Sequence, residues 1–311
     1  CMVTINLTPI EKTCRIEDTD REYNIMKNSK LKNPELIILI LSAPKNLDKR
    51  DTVRETWINS DQLLHLSSEQ SKNNDILILP MLDTYKSLTE KVKRSFVWLN
   101  DQYDYGLGFK YVLKCDDDSF VNLKSLTSEI VAMENFYHKL DLKQSFKSNL
   151  EQTNFYLSMN AQEVPELKLK ESGKKMIGSH LIDMYHMLWV EDIFYQKKLV
   201  TYIAKNTENL RSYQSEDVSV GFWLAPVNNV LRVHDVRFDT EWISRGCRNS
   251  HLVTHNISRQ EMRKMYNNYI EFRTFCPEQV DKRSYYVYDW SVPPSQCCHH
   301  FDESIIRLQK R

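Results

Sequence analysis

The chain has 311 residues, with 42 basic and 42 acidic side chains, so its formal net charge is zero. A chain of this length can bury a large core, and the neutral balance creates no overall field that would attract nucleic acid or an anionic membrane. We therefore expect no nucleic-acid partner and expect any anionic ligand to be held by local groups. Only six glycines are present, which is few for an enzyme whose backbone must approach a ligand closely.

The cysteines indicate disulfides in an oxidising compartment, because they lack the paired short spacing of a zinc ribbon. Four of the seven lie near the end of the chain: Cys247, Cys276, Cys297 and Cys298. The spacing does not determine their pairing. Glycosylation sequons at Asn6 and Asn256 point weakly to the same compartment.

The first 33 residues are polar and lack a sustained period, which is typical of a stem or linker. No apolar run approaches the ~20 residues that span a bilayer. Because the sequence opens on Cys1 rather than Met, we expect an upstream membrane anchor to be missing from it. The folded domain is predicted to begin at residue 34, with one half over residues 34–135 and the second half over residues 136–311.

Continuous apolar runs alternate with helical periods through the first half. The strands are predicted at residues 36–41, 75–79 and 109–115, and the helices that follow them at residues 48–57, 87–98 and 123–134. Three β-then-α units predict an α/β fold with a doubly wound, mostly parallel sheet, whose ligands lie at the carboxyl ends of the strands. Residues 136–173 are interpreted as a helix with long loops. From Ser215 onward, aromatic residues mark an irregular region whose rings could line a pocket but individually suit the core better.

Asp116, Asp117 and Asp118 follow the third predicted strand. Adjacent carboxylates raise one another's pKa, a cost that a divalent cation removes. In an extended segment the first and third side chains face the same side, so Asp116 and Asp118 could share a hard cation. A solvated turn that caps the next helix explains the triplet equally well.

Two further features carry little weight alone. Asp217 lies in a Ser-Glu-Asp opening of a predicted helix, where capping is the simpler explanation of its carboxylate. His255 ends a short apolar run, and an isolated histidine is more often structural than a ligand. A neutral imidazole nonetheless offers the nitrogen that Mn²⁺ accepts more readily than Mg²⁺ does.

Taken together and in order, these segments resemble the motifs of the β-1,3-galactosyltransferase family. The first set comprises residues 50–57 (RDTVRETW), 83–91 (DTYKSLTEK), 116–118 (DDD) and 216–218 (EDV). The more specific set comprises residues 237–241 (RFDTE), 244–247 (SRGC), 252–255 (LVTH) and 286–298 (YVYDWSVPPSQCC). The second set is most similar to the family's proteoglycan linkage-region branch, which adds the second galactose of the linkage tetrasaccharide.

The resemblance implies a GT-A type domain with an irregular acceptor-binding half, in the Golgi lumen. It implies UDP-galactose as donor, Mn²⁺ as cofactor, and Galβ1,4-xylose on a proteoglycan core protein as acceptor. It places Asp118 and His255 as metal ligands and Asp217 as the catalytic base. The remaining family positions are nucleotide contacts at Asp116 and Asp117 and candidate donor contacts at Arg54 and Lys91. For Arg54 and Lys91, the sequence alone favours exposed charges on a helix surface over donor contacts.

One segment departs from the family pattern. Between residues 173 and 199 the family leads us to expect a Gly-Gly-Gly-Tyr run, but residues 183–195 contain no glycine. Back-translation with a shift of one nucleotide can restore Pro-Tyr-Ala-Leu-Gly-Gly-Gly-Tyr. We therefore hypothesise a compensated frameshift over about residues 174–197, and we expect strongly reduced transfer if the printed residues are the native ones.

Two other functions stay open on sequence. Another β-1,3-glycosyltransferase, for example one that transfers N-acetylglucosamine, would share the metal and base motifs. A glycan-binding homologue with an impaired site would explain the missing glycines. Because a glycan on Asn256 would crowd His255, we expect that sequon to be unmodified.

Overall fold

A computed structural model describes most of the predicted domain. The described residues are 2–5, 34–58, 75–106, 108–143, 154–158, 193–227, 230–241, 243–288 and 298–300. The helices among them are α1 (Leu47–Glu55), α2 (Leu88–Asp104), α3 (Leu123–Lys143), α4 (Lys197–Lys205), α5 (Glu216–Leu224) and α6 (Arg259–Phe272), and short 3₁₀ helices span Tyr85–Ser87 and Thr207–Asn209.

Six strands form the main sheet, and the others form small sheets around its edge. The main-sheet strands are β1 (Met2–Ile5), β2 (Leu36–Leu41), β3 (Tyr111–Asp116), β5 (Asn154–Ser158), β6 (Ile193–Gln196) and β7 (Val230–His234). The others are β4 (Phe120–Val121), β8 (Phe238–Asp239), β9 (Gly246–Cys247), β10 (Val253–Thr254), β11 (Val280–Asp281), β12 (Tyr286–Tyr288) and β13 (Cys298–His300).

The strand order of the main sheet is β1-β2-β3-β6-β5-β7. Only the β2–β3 and β5–β7 pairs are parallel, whereas β1–β2, β3–β6 and β5–β6 are antiparallel. The α/β class is confirmed, but the prediction of a mostly parallel sheet is wrong. Antiparallel neighbours need no helical crossover, so strands from distant parts of the chain enter the sheet without forming β-then-α units.

The predicted strand over residues 75–79 is also wrong, since these residues belong to no strand. Both edges of β2 are already occupied, by β1 on one side and β3 on the other. The segment instead lines a cavity with its apolar side chains. An apolar run alone does not distinguish a cavity wall from a buried strand.

The core lies on both faces of the main sheet. Every side chain of β2 is buried, as its continuous apolar sequence predicts. On one side α2 packs against α4 and α5, and elsewhere α1 packs against α6. The aromatic residues after Ser215 that the structure describes mostly serve this core, since Trp223, Phe238 and Tyr285 are buried.

The division into two halves stays a prediction, although β5, β6 and β7 join the same sheet as β2 and β3. Met2–Ile5, which falls in the predicted stem, pairs with β2. A disulfide joins Cys247 to Cys276, whose Cα atoms are 5.8 Å apart. Among the described residues, no helix combines the length and the apolar character needed to cross a membrane.

Candidate active site

The acidic triplet lies where β3 ends and the chain turns into β4. Asp116 is the last residue of β3, and its carbonyl accepts a hydrogen bond from the Ser119 amide at 3.2 Å. The two-residue strand β4 follows, and it pairs antiparallel with β10. His255 comes directly after β10, and the Ile257 amide donates to the Asp118 carbonyl at 2.9 Å. The small sheet thus brings His255 next to a carboxylate that is distant from it in sequence.

Asp116, Asp118 and His255 form a group that could hold a cation. One ligand atom from each lies within 4.8 Å of the others. Ligand atoms about 2.1 Å from a small divalent cation lie at most about 4.2 Å apart, so a slight closing movement would complete the coordination. Two carboxylates and one imidazole are a suitable donor set for Mn²⁺.

The closest contact in this group joins Oδ1 of Asp118 to Nε2 of His255, at 3.2 Å. Oδ1 of Asp118 is buried, and no described residue donates a hydrogen bond of good geometry to it. A carboxylate oxygen and an imidazole nitrogen this close need a proton or a cation between them. A proton on Nε2 or a divalent ion meets this need, so the environment is compatible with a divalent ion.

The charge state of Asp118 is set by competing influences. Burial raises its pKa, but the contacts with His255 and Lys49 outweigh burial and hold the pKa at about 2. Asp118 is therefore ionised at neutral pH, as a metal ligand must be.

Asp117 is oriented differently from its two neighbours. Its Oδ2 accepts hydrogen bonds from the Ser42 hydroxyl at 2.7 Å and from the Asn46 amide at 2.8 Å. Lys49 completes this set, with its Nζ 3.1 Å from Asp117 and 2.7 Å from Asp118. Asp117 thereby fixes the loop after β2 against the end of β3, while the cation group consists of its neighbours and His255.

Two adjoining cavities open at this end of the sheet. The first, of about 340 Å³, has apolar walls from β2 and residues 76–79. The second, of about 360 Å³, reaches the acidic triplet and Lys49. Leu41, Ser42, Ala43, Asp83 and Lys91 line both, so the two cavities adjoin, and together they are called the trench, with an apolar pocket at one end and the carboxylates at the other.

Lys91 lies at the junction of these cavities. Its Nζ donates to the Ser42 carbonyl at 3.0 Å and pairs with Asp83 at 2.7 Å. This position is compatible with the predicted donor contact, which stays a prediction.

Arg54 lies elsewhere. Its guanidinium is buried and binds both carboxylate oxygens of Asp75 at 2.7 Å, and it also pairs with Asp51 at 3.0 Å. These contacts join α1 to the segment that lines the apolar cavity. Arg54 is not an exposed surface charge, and the described cavity linings do not include it, so its role as a donor contact stays a prediction.

Asp217 is the second residue of α5 and is buried. Its Oδ1 accepts a hydrogen bond from the Val218 amide at 2.7 Å. The preceding residue, Glu216, pairs with Lys114 of β3 at 3.0 Å. Because Lys114 lies two residues before Asp116, this pair connects the start of α5 to the strand that carries the cation group.

A third cavity, of about 690 Å³, is separate from the trench. Its lining includes Thr254 and Asn256, on either side of His255, and the Cys247–Cys276 disulfide. Asn256 has a positive φ of 56° and is exposed. The expectation that its sequon is unmodified stays untested.

Sequence reasoning missed several residues that shape the site. They are Ser42, Asn46, Lys49, Arg50, Lys114 and Glu216. The first four lie in the loop after β2 and in the first turn of α1. Ligands bind at the carboxyl ends of strands in open α/β sheets, so that rule could have identified these residues. Of the segment interpreted as a frameshift, residues 174–192 lie outside the described residues, and residues 193–196 form β6.

Comparison with known proteins identifies the family of the chain. The sequence model of the family described as galactosyltransferase matches residues 59–235, more than half of the chain. The chain is 34% identical over 288 residues to Beta-1,3-galactosyltransferase 6 of Mus musculus, covering 85% of this chain and 82% of that protein. The chain belongs to the galactosyltransferase family. It is a UDP-sugar-dependent β-1,3-glycosyltransferase.

More distant relatives differ in the sugar that their names give. Beta-1,3-galactosyltransferase 4 of Mus musculus is 32% identical over 117 residues, or 32% of this chain and 31% of its own. UDP-GalNAc:beta-1,3-N-acetylgalactosaminyltransferase 2 of Xenopus tropicalis is 25% identical over 210 residues, or 67% of this chain and 36% of its own.

Proposed function

We propose that this galactosyltransferase-family enzyme transfers galactose from UDP-galactose to the 3-hydroxyl of Galβ1,4-xylose on proteoglycan core proteins, with inversion and with Mn²⁺. The observation that carries the proposal is the Asp116, Asp118 and His255 group at the end of a trench of ligand size. Carboxylates otherwise repel the diphosphate of a nucleotide sugar, so a cation between them is needed for donor binding.

The trench offers separate environments for the two parts of the donor. We place the uracil and ribose in the apolar cavity, whose wall comes from β2 and residues 76–79. The diphosphate then lies in the polar cavity, near Lys49 and Lys91. When bound, Mn²⁺ would neutralise charge that develops on the departing diphosphate. In this proposal Asp116, Asp118 and His255 hold the ion.

Asp217 has the role of general base. A carboxylate that removes the acceptor hydroxyl proton, as that oxygen attacks the anomeric carbon from the face opposite UDP, inverts the configuration in one displacement. Burial of Asp217 at the start of α5 limits its access to water. Its separation from bulk solvent favours transfer to a sugar hydroxyl over hydrolysis of the donor.

The acceptor assignment is supported by sequence more than by geometry. The mouse Beta-1,3-galactosyltransferase 6 aligns with most of this chain, and residues 286–298 resemble the linkage-region branch. The Cys247–Cys276 disulfide suits the oxidising Golgi lumen. We propose that location for the catalytic domain, attached to the membrane through an N-terminal anchor.

The test is a donor panel with a Galβ1,4-xyloside acceptor. Wild type, Asp217→Asn and Asp104→Asn are each assayed with UDP-galactose, UDP-N-acetylgalactosamine and UDP-N-acetylglucosamine. We expect galactose transfer by wild type, a loss of about 10³-fold in kcat for Asp217→Asn, and no change for the exposed control Asp104→Asn. Preferential transfer of an N-acetylhexosamine would overturn the donor assignment. Normal turnover by Asp217→Asn would remove it as the base.

A further inference from the structure

We propose that the buried Lys114–Glu216 ion pair is a positioning device that sets the Asp217 carboxylate relative to the cation group. This inference rests on the proposed function, because it assigns a role to residues that hold the base. Neither residue touches the donor or acceptor in this proposal, so both are positioning residues rather than catalytic ones.

Lys114 lies in the middle of the main sheet. Its strand, β3, has β2 on one side and β6 on the other, with Lys114 opposite Leu39 and Ile193. The Lys114 side chain is fully buried, at 0% exposure, and its Nζ lies 3.0 Å from Oε1 of Glu216. A lysine in this position carries a large desolvation cost that a pairing carboxylate offsets.

The ion pair links the strand that carries Asp116 to the helix that carries Asp217. Side chains alternate along a strand, so Lys114 and Asp116 point from β3 to the same side. Glu216 and Asp217 are the first two residues of α5. The ion pair therefore ties the turn of α5 that carries the base to the strand that carries the first cation-group carboxylate.

Other contacts hold the opposite side of this turn. The Ser219 hydroxyl donates to the Ser215 carbonyl at 2.6 Å and accepts from the Tyr213 amide at 2.9 Å. Trp223 donates from its indole nitrogen to the Arg211 carbonyl at 2.7 Å. These bonds fix α5 to the loop before it, whereas Glu216 gives the helix a charged link to the main sheet.

Stability alone does not explain why this position is charged. Well-packed apolar residues can replace a buried ion pair with little loss of stability or even a gain. What such residues lack is a directional bond that defines the orientation of the helix start. Misplacing a reacting group by about 1 Å can reduce a rate about 100-fold, so a directional constraint next to the base has a kinetic benefit.

The experiment compares the double variant Lys114→Met/Glu216→Gln with wild type. Removing both charges avoids leaving one of them buried without a partner, which is why the single Lys114→Met variant is less informative. The matched control is Lys110→Met, the same substitution on an exposed lysine just before the start of β3. Folding is followed by thermal denaturation, UDP binding with Mn²⁺ by calorimetry, and kcat and KM by transfer assay.

We expect the double variant to fold, to bind UDP within about threefold of wild type, and to keep its donor KM within about twofold. Its kcat should fall by about 10-fold to 100-fold, while Lys110→Met should keep wild-type kinetics. A double variant with wild-type kcat would overturn the proposal. A kcat loss that is matched by the loss of folded protein would overturn it as well, because that result indicates a structural role alone.

A second measurement decides the question without any transfer assay. Amide hydrogen exchange over residues 215–219, measured with Mn²⁺ and UDP present, should accelerate at least about tenfold in the double variant and remain unchanged in Lys110→Met. Unchanged exchange in the double variant would show that the pair does not hold this turn. If wild type transfers no sugar from any UDP donor, the proposed function fails, and the exchange result still decides whether the pair fixes the start of α5.

Discussion

Each end of β3 has one lysine paired with two carboxylates, but the two ends differ in how far those carboxylates are buried. Near its start, Lys110 pairs with Glu35 and Glu134, each at 3.0 Å, and these side chains are 29–52% exposed. At its end, Asp117 and Asp118 share one lysine, Lys49, and the Asp117 side chain is only 6% exposed. Asp118 is 26% and Lys49 37% exposed, so Asp117 is the one carboxylate of these four that water screens poorly.

This difference distinguishes a surface network from a ligand site. Exposed pairs contribute little to stability because solvent already satisfies their charges. Neighbouring carboxylates that are partly withdrawn from water are costly unless a cation compensates them. The end of β3, and not its start, should therefore respond to divalent ions.

The largest expected effect comes from Asp118→Asn, which removes one carboxylate from the cation group. We expect kcat/KM for transfer to fall by about 10³-fold at saturating Mn²⁺, since electrostatic help to the leaving diphosphate amounts to several kcal/mol. Steady-state kinetics measure this loss, with Lys110→Met as the control at the other end of the strand. A loss below tenfold in Asp118→Asn would mean that the two ends do not differ as described.

The next effect concerns stability rather than chemistry. Arg54→Met would leave the Asp75 carboxylate, which is 0% exposed, buried without its guanidinium partner. The free energy of unfolding should fall by about 3 kcal/mol, measured by urea denaturation.

The control for that variant is Arg94→Met, which breaks an exposed helical pair with Glu90 and should cost less than about 0.5 kcal/mol. Equal losses of unfolding free energy in the two variants would contradict the claim that burial makes the Arg54–Asp75 pair more stabilising than the exposed pair. A rise in donor KM for folded Arg54→Met, with stability unchanged, would instead favour the donor contact that the sequence predicts.

A smaller effect depends on pH and on a histidine outside the cation group. Burial, followed by the nearby Arg245 charge, lowers the pKa of His234 to about 4. The unfolded chain, with an ordinary histidine pKa near 6.5, therefore binds more protons than the folded chain between these values. Stability should decrease as pH falls through that window.

His234→Gln should remove part of this dependence. Between pH 7 and pH 5, wild type should lose about 1 kcal/mol more unfolding free energy than the variant does, after allowance for partial solvent access. Urea denaturation at the two pH values measures the difference. Equal losses would show that the His234 pKa is the same in the folded and the unfolded chain, which would contradict the effect of burial on this histidine.

The smallest expected effect is that of Lys49→Met. The Lys49 ammonium lies against Asp117 and Asp118 and would compete with a cation there. Removing it should tighten Mn²⁺ binding by about threefold, a modest change because Lys49 is partly exposed. Calorimetric titration would measure it, again with Lys110→Met as the control. Weaker Mn²⁺ binding in Lys49→Met would indicate that the lysine supports the cation rather than replaces it.

The structural features that depend on local sequence were predicted best. The strand at Leu36–Leu41 was expected at its observed bounds, because a strand covered on both faces needs an unbroken apolar run. The proximity of Asp116 and Asp118 was expected from strand alternation, but Asp117 and Asp118 form a turn after β3, so the turn and not alternation brings the two carboxylates together. Their approach to His255 was expected only from the family resemblance, since it depends on the non-local β4–β10 pair.

Other features depend on pairing that no local pattern encodes. The antiparallel entry of Ile193–Gln196 beside β3 could not be derived from an apolar run, because strand direction is set by the path of the whole chain. Lys114 interrupts the apolar sequence of its strand, and no local pattern predicts its partner. Its burial became explicable only once Glu216 was found beside it.

The central claim is that Asp116, Asp118 and His255 bind a divalent cation for sugar transfer. Electron paramagnetic resonance of Mn²⁺ with UDP present tests it most directly, on wild type and on Asp118→Asn/His255→Ala. We predict one tight Mn²⁺ site per wild-type chain and at least about a 100-fold loss of affinity in the double variant. Retention of the site with affinity within about threefold of wild type would contradict the claim.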